Sequence, residues 1–213
     1  MGDTTTEFVP NAQTPRGSFG FFRPFNCSFD MLDMATHRAT AQDYAALPEG
    51  APFQLIDFEL VMSPSPTSRH QRILKRLFLA FEKHLEAHGG GDIEFAPFDV
   101  HFGEGDVYQP NAFVILDGNP GIMEDNGFHG VPDIIIEVLS PSNAYYDLRH
   151  KKMIYEQTGV KEYWIVDPID HIIECHSNTE KGFEISSMAH NEGEVQSGLL
   201  PGFSVMAESV FRK

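Results

Sequence analysis

The sequence predicts an α/β fold, a single domain in which a mixed central β-sheet is flanked by helices. Three stretches of the 213 residues carry that prediction. Asp133–Leu139 is rich in Ile and Val, lacks helical spacing, and is bounded by Val-Pro before and Ser-Pro after, so it reads as a buried strand. Asn143–Thr158 carries helical periodicity, with Ser142 or Asn143 as its N-cap and Gly159-Val160 as its stop. Tyr163–Val166 is a second apolar run that completes a strand–helix–strand unit.

Ahead of this unit, residues 1–33 are unlike the rest. Phe8, Phe19, Phe21, Phe22, Phe25 and Phe29 fall among Pro, Gly, Asn and Thr with no clean period. They read as a poorly structured arm packing on the domain or on a second subunit, or as an extension before a natural start at Met31 or Met34. The domain proper is expected over residues 34–213. Thr40 opens a short helix that ends in a turn at Leu47-Pro48-Glu49-Gly50, and Phe53–Met62 reads as one strand. Thr67 or Ser68 caps a long helix over Arg69–His88, ended by Gly89-Gly90-Gly91. Leu74, Leu77, Phe78, Phe81 and Leu85 form its apolar stripe. Strands follow at Ile93–Phe95, Phe98–Phe102 and Ala112–Leu116, then a glycine-rich loop over Gly118–Gly130. Beyond the central unit, Ile172–Cys175 pairs with Tyr163–Val166 through a turn at Asp167–His171, and Phe183–Ser187 adds a short strand.

Composition narrows the class. Hydrophobic residues make up 41% of the chain, enough for an ample core, and no apolar run is long enough to span a membrane. Cys27 and Cys175 are too few for a disulfide framework and lack metal-site spacing, which points to free thiols and a cytoplasmic protein. The net charge of −16, from 31 acids against 15 bases, argues against a nucleic-acid partner. It does not exclude one, because a metal-dependent nuclease gathers acids where cations sit.

Two placements in the central unit are costly unless they have a purpose. Strand alternation puts Asp133, Ile135, Glu137 and Leu139 on one face, so Glu137 is a carboxylate among aliphatic neighbours. Stepping roughly 100° per residue from Tyr145 puts Asp147, Lys151 and Tyr155 near 200°, 240° and 280°, between Ile154 and Leu148. Lys152 falls near 340°, toward water. Lys151 therefore points inward, with Asp147 and the preceding strand as its partners. A buried structural ion pair is the plain alternative to a functional site.

The run Pro-Asp-(aliphatic)3-Glu-Val-Leu-Ser-Pro-Ser, then Asp-x3-Lys-x3-Tyr, Gly-Val and Glu-Tyr-Trp-Ile-Val-Asp-Pro, resembles the restriction-endonuclease family known as domain of unknown function 820, of the PD-(D/E)XK nuclease superfamily. The resemblance extends from about Ala39 through Leu55-Ile56-Asp57, Ser63–Pro66 and His70 to Leu200-Pro201-Gly202-Phe203. It implies a restriction-endonuclease-like fold and metal-dependent DNA cleavage with Mg2+ or Mn2+. It also implies a homodimer, since a double-strand break takes two sites. In the superfamily the lysine stands two residues after the acid on the strand; position 139 here is Leu, and Lys151 matches the helix lysine this family uses instead. By resemblance Glu137 is a metal ligand, Lys151 the catalytic cation and Asp147 its orienting partner. The first metal ligand, the aspartate of a Gln-Pro-Asp segment, is replaced here by Asn111 of Gln109-Pro110-Asn111. Asn111 still offers a carbonyl oxygen but no charge. Gln54 stands where the family tends to have glutamate, so two amides replace acids and the metal site is weakened or lost. A catalytically inactive nuclease-fold binding or assembly module is the competing expectation. Asp133 lies roughly 13 Å from Glu137 along an extended strand, too far to substitute.

Other patterns are less specific. Arg69, Arg72, Arg76 and Lys83 share about 60° of the long helix's far side, an ordinary solvated face or a phosphate-contacting ridge. His70 matches a family position and would approach phosphate. His84, His88, His101, His150 and His171 show no ligand spacing. Ser140 and Ser142 lack a strained glycine elbow and a paired base, and no glycine-rich phosphate loop is present.

Overall fold

The structure, a computed structural model, describes residues 38–48, 50–63, 65–140 and 146–212. The arm expected over residues 1–33 and the cap expected at Ser142 or Asn143 lie outside the described residues, as does the side chain of Asp147. Thr40 and Asp43 exchange side-chain and backbone hydrogen bonds and so open a short helix, α1 (Ala41–Ala45). The chain continues through β1 (Phe53–Ile56), β2 (Glu59–Met62) and α2 (Ser68–His88). Then come β3 (Gly91–Phe95), β4 (Val100–Gly103), β5 (Asp106–Tyr108), β6 (Ala112–Leu116), β7 (Ile122–Glu124), β8 (Gly127–His129) and β9 (Ile134–Val138). The last part holds α3 (Tyr146–Thr158), β10 (Glu162–Asp167), β11 (Ile172–Thr179), β12 (Gly182–His190), β13 (Glu194–Gln196), β14 (Ser204–Met206) and α4 (Ala207–Phe211).

The expected central sheet is present, with the strand order β12-β11-β10-β9-β6-β3. It is mixed because α3 carries the chain from β9 to a parallel β10, while its other pairings are antiparallel. Alternation along β9 separates two cores. Ile134, Ile136 and Val138 join Leu74, Leu77, Phe81 and Trp164 on the α2 side. Ile135 joins Phe113, Tyr155 and Tyr163 on the other. Thr67 caps α2 through the His70 N–H, and Gly89 ends it in a left-handed conformation (φ 68°) with its N–H on the Leu85 carbonyl.

Beside the expected central sheet lies a second one that the sequence did not delineate. A second six-stranded sheet, ordered β2-β1-β5-β4-β8-β7, contributes Val100 and Phe128 to the core shared with Ile135 and Tyr155. Its strands are three or four residues long, too short to show a period. The stretch Phe53–Met62 is a hairpin instead of one strand: Asp57 and Phe58 turn it with φ of 47° and 63°. That conformation is unfavourable for Phe, and its ring is held between the Arg38 guanidinium, 4.0 Å from the ring centre, and Gly105, where any Cβ would collide with it. The glycine-rich Gly118–Gly130 segment contains the β7–β8 hairpin.

Phe81 is fully buried and meets Trp164 edge-on at 5.3 Å and Phe203 at 4.2 Å, joining α2 to the central sheet and to the C-terminal segment. Phe81→Ala is expected to lower unfolding free energy by about 3–5 kcal/mol. Urea titration checks this, and a loss under about 1 kcal/mol would show that the helix is not seated on this core.

Candidate active site

Three segments meet at the carboxyl end of β9. The first is β9 itself, where Glu137 points to the α3 side and is 7% exposed. The second is α3, whose inward face presents Lys151 and Tyr155, four residues apart and both buried. Lys151 Nζ donates to Glu137 Oε1 at 3.0 Å, and Tyr155 Oη donates to the same oxygen at 3.0 Å. Oε2 of Glu137 accepts no hydrogen bond among the described residues. The inward angle expected for Lys151 is therefore the observed one. Tyr155 shares that face, and its spacing from Lys151 was the signal for a role not assigned to it from sequence. Burial and then the Glu137 carboxylate push the Tyr155 phenol well above its ordinary value, so it remains a donor. Phe102, Tyr108 and Tyr163 ring it at 5.3–5.9 Å.

The third segment is Gln109-Pro110-Asn111, which carries the chain from β5 in one sheet to β6 in the other. A polar network fixes this crossing. The Gln109 N–H donates to Gln54 Oε1 at 2.9 Å, and Gln109 Nε2 donates to Asp99 Oδ1 at 2.8 Å. Tyr44 Oη donates to the same Asp99 oxygen at 2.9 Å. Gln54 is thus a buried structural amide, its other end on Ser63. Asn111 follows, and its Oδ1 accepts from the Val138 N–H at 2.7 Å. His70 Nε2 lies 3.2 Å from that oxygen and 3.0 Å from the Val138 carbonyl, so this nitrogen carries the proton. Because the Val138 N–H needs an acceptor, the carboxamide cannot be turned round without stranding a buried donor, at a cost of about 1–3 kcal/mol.

This bears directly on the divalent cation that the sequence resemblance implies. An aspartate at position 111 would keep one oxygen on Val138 and have a second, anionic oxygen left for a cation. Asn111 can offer only an NH2 group, which is a donor. His70 Nδ1, buried and without a partner among the described residues, is on the opposite side of the ring from Nε2. The residues present do not fit a two-carboxylate cation site. Among the described residues no group of three or more His, Cys, Asp or Glu is clustered for a metal.

The remaining candidates are placed as follows. His70 is buried and faces Val138 and Asn111 instead of the surface. Arg76 donates to the carbonyls of Val210 and Arg212 and so ends α4. Arg69 donates to His171 Nε2 at 2.6 Å, Arg72 to Ser68 Oγ at 3.2 Å, and both are exposed at the start of α2. Lys152, expected to face water, is half-buried with Nζ 3.4 Å from His176 Nδ1, and His176 Nε2 pairs with Glu174 at 2.8 Å. That cluster had no sequence signal, since its members come from α3 and β11. Asp133 is committed elsewhere: it accepts from Lys161 at 2.6 Å, Asn119 Nδ2 at 2.7 Å and the Leu116 N–H at 2.8 Å.

A carboxylate on a central strand is thus met by a lysine from the next helix, in an α/β domain of two six-stranded sheets. The chain belongs to the Uma2 family, described as "Putative restriction endonuclease", which matches residues 41–208. A crystal structure described as "a putative nuclease belonging to DUF820", from Anabaena variabilis, is similar with a TM-score of 0.68 at 16% identity. The match covers 81% of this chain and 97% of that one, and at this identity it shows the fold. No curated protein matches the chain.

Asp133 yields a pH test. Burial alone would raise its carboxyl, but Lys161, the Leu116 N–H and Asn119 outweigh it and hold it below the ordinary 3.8. Its stabilising effect is therefore full above about pH 4 and lost as pH falls through the lower folded-state value. Asp133→Asn is expected to lower the urea midpoint at pH 7, with the gap to the natural chain narrowing toward pH 3. A gap that widens on acidification contradicts this.

Proposed function

We propose that the chain acts on DNA as a restriction-endonuclease-like phosphodiesterase whose hydrolysis is slow because Asn111 replaces a carboxylate. The observation that carries this is the 3.0 Å contact between Lys151 and Glu137, brought together from α3 and β9 and nearly sealed from water. Phosphodiester hydrolysis needs an oriented water and stabilisation of the negative charge that develops on phosphorus-bound oxygens. In this proposal Glu137 Oε2 takes the water proton, Lys151 supplies a compact positive charge and Tyr155 keeps the carboxylate in one rotamer. A divalent cation, when held by two carboxylates, lowers the pKa of its bound water and neutralises phosphate charge. Only one of those carboxylates is present in this chain. Arg69 and Arg72, exposed beside His70, are the phosphate-contacting candidates of the proposal. A double-strand cut takes two such sites, which makes a homodimer the proposed assembly, to be read by light scattering as twice the chain mass.

A second reading, a nuclease-fold binding or assembly module without hydrolysis, is favoured by the Asn111 oxygen being taken up by Val138 and His70. One assay separates them: supercoiled plasmid with Mg2+ or Mn2+, alongside DNA binding by fluorescence anisotropy. Slow relaxation of plasmid by the natural chain, reduced about 100-fold or more in Glu137→Ala and Lys151→Ala, is expected. Binding with no cleavage gives the second reading. Cleavage indifferent to both substitutions, or no binding to DNA at all, overturns the proposal.

A further inference from the structure

We infer that Asn111 has become a structural staple joining β6, β9 and α2, and that this staple keeps divalent cations away from Glu137, so that one oxygen in place of its NH2 group suffices to make a cation site. The inference rests on the placement of Asn111 and does not depend on DNA being the substrate. One atom, Oδ1, receives the Val138 N–H at 2.7 Å and faces His70 Nε2 at 3.2 Å, which ties the crossing between the sheets to both a central strand and the long helix. The backbone just before it is pinned by the Gln54 carboxamide at 2.9 Å. Asn111 therefore cannot swing its oxygen toward Glu137 without abandoning Val138, and the end that remains is a hydrogen-bond donor. A cation at Glu137 Oε2 would gain no anionic oxygen from Asn111 and would find the other carboxylate oxygen already held by Lys151 and Tyr155.

The test uses Mn2+ as the probe, without DNA, on the full chain. Titration calorimetry of the natural protein is expected to show no saturable heat, and its Tm should be unchanged by Mn2+. Asn111→Asp should melt below the natural protein in EDTA. With Mn2+ at about 100 times Kd it should rise by roughly 5 °C or more, with one saturable site. Adding Glu137→Gln to Asn111→Asp should remove both effects. The natural chain also decides the matter by itself if Asn111→Asp fails to fold: the Asn111 side-chain NH2 and Val138 amide resonances should keep their intensity in Mn2+. Selective paramagnetic broadening of those signals overturns the inference. So does a natural-chain affinity within threefold of that of Asn111→Asp, or a folded Asn111→Asp with no saturable site. None of these outcomes depends on DNA binding or cleavage, so failure here and failure of the nuclease proposal are separately visible.

Discussion

A carboxylate and an ammonium facing each other at 3.0 Å, both more than nine-tenths buried, are the constraint around which the domain is arranged. Removing each charge from water costs several kcal/mol, and their attraction offsets this only while the geometry is held. Most of the surrounding architecture holds it. β9 is flanked by β6 and β10: Glu137 is in register with Ile165 of β10, and the β6 ladder reaches Ile136 just before it. On the helix side, Asn178 Nδ2 donates to the carbonyls of Glu156 and Val160 at 3.0 and 2.9 Å, satisfying the end of α3. The Glu156 carboxylate takes the Phe183 N–H at 2.7 Å and ties the same turn to β12. Tyr155 then locks the face that carries Lys151, its ring among aromatics and its hydroxyl on Glu137.

The second sheet has a comparable purpose on the other side. It covers the Ile135–Tyr155 core, and one of its links to the central sheet, the Gln109–Asn111 crossing, reaches the site. Buried polar groups at such a crossing must all be paired, and Gln54, Gln109, Asp99 and Tyr44 pair one another. Position 111 inherits this rigidity. In a site with aspartate there, rigidity would aim a ligand; with asparagine it fixes an oxygen inward and commits the residue to structure. One half of the polar cluster, Glu137 with Lys151, is built by β9 and α3, and the other, Asn111 with its oxygen on Val138, is built by the crossing.

Much of the first half was legible in the sequence. The two faces of β9 follow from a period of two, and the inward direction of Lys151 follows from 100° steps, because both depend only on local backbone geometry. The β10–β11 pairing was legible from a short turn between apolar runs, and the end of α2 from three successive glycines. The second sheet was not, since strands such as Asp106–Tyr108 and Ile122–Glu124 are shorter than any window that shows a period. The turn at Asp57-Phe58 was hidden because Phe is a poor residue for positive φ, tolerated here by its packing against Arg38 and Gly105. The substitution of Asn111 was readable by comparison with the family pattern, but the direction of its carboxamide was not. Val138 and His70 reach it only after three elements have packed. Arg76 shows the same limit: its place on the basic stripe was visible, and the α4 carbonyls that claim it were not.

The interaction between Glu137 and Lys151 is measurable directly by a double-mutant cycle in urea, using Glu137→Gln, Lys151→Met and the pair together. Each single substitution removes one charge of the buried pair and is expected to cost about 3–5 kcal/mol, with the double far below the sum and a coupling near 2 kcal/mol or more. Additive losses, with coupling under about 0.5 kcal/mol, would mean that the two charges do not meet in solution and would contradict the account of the site.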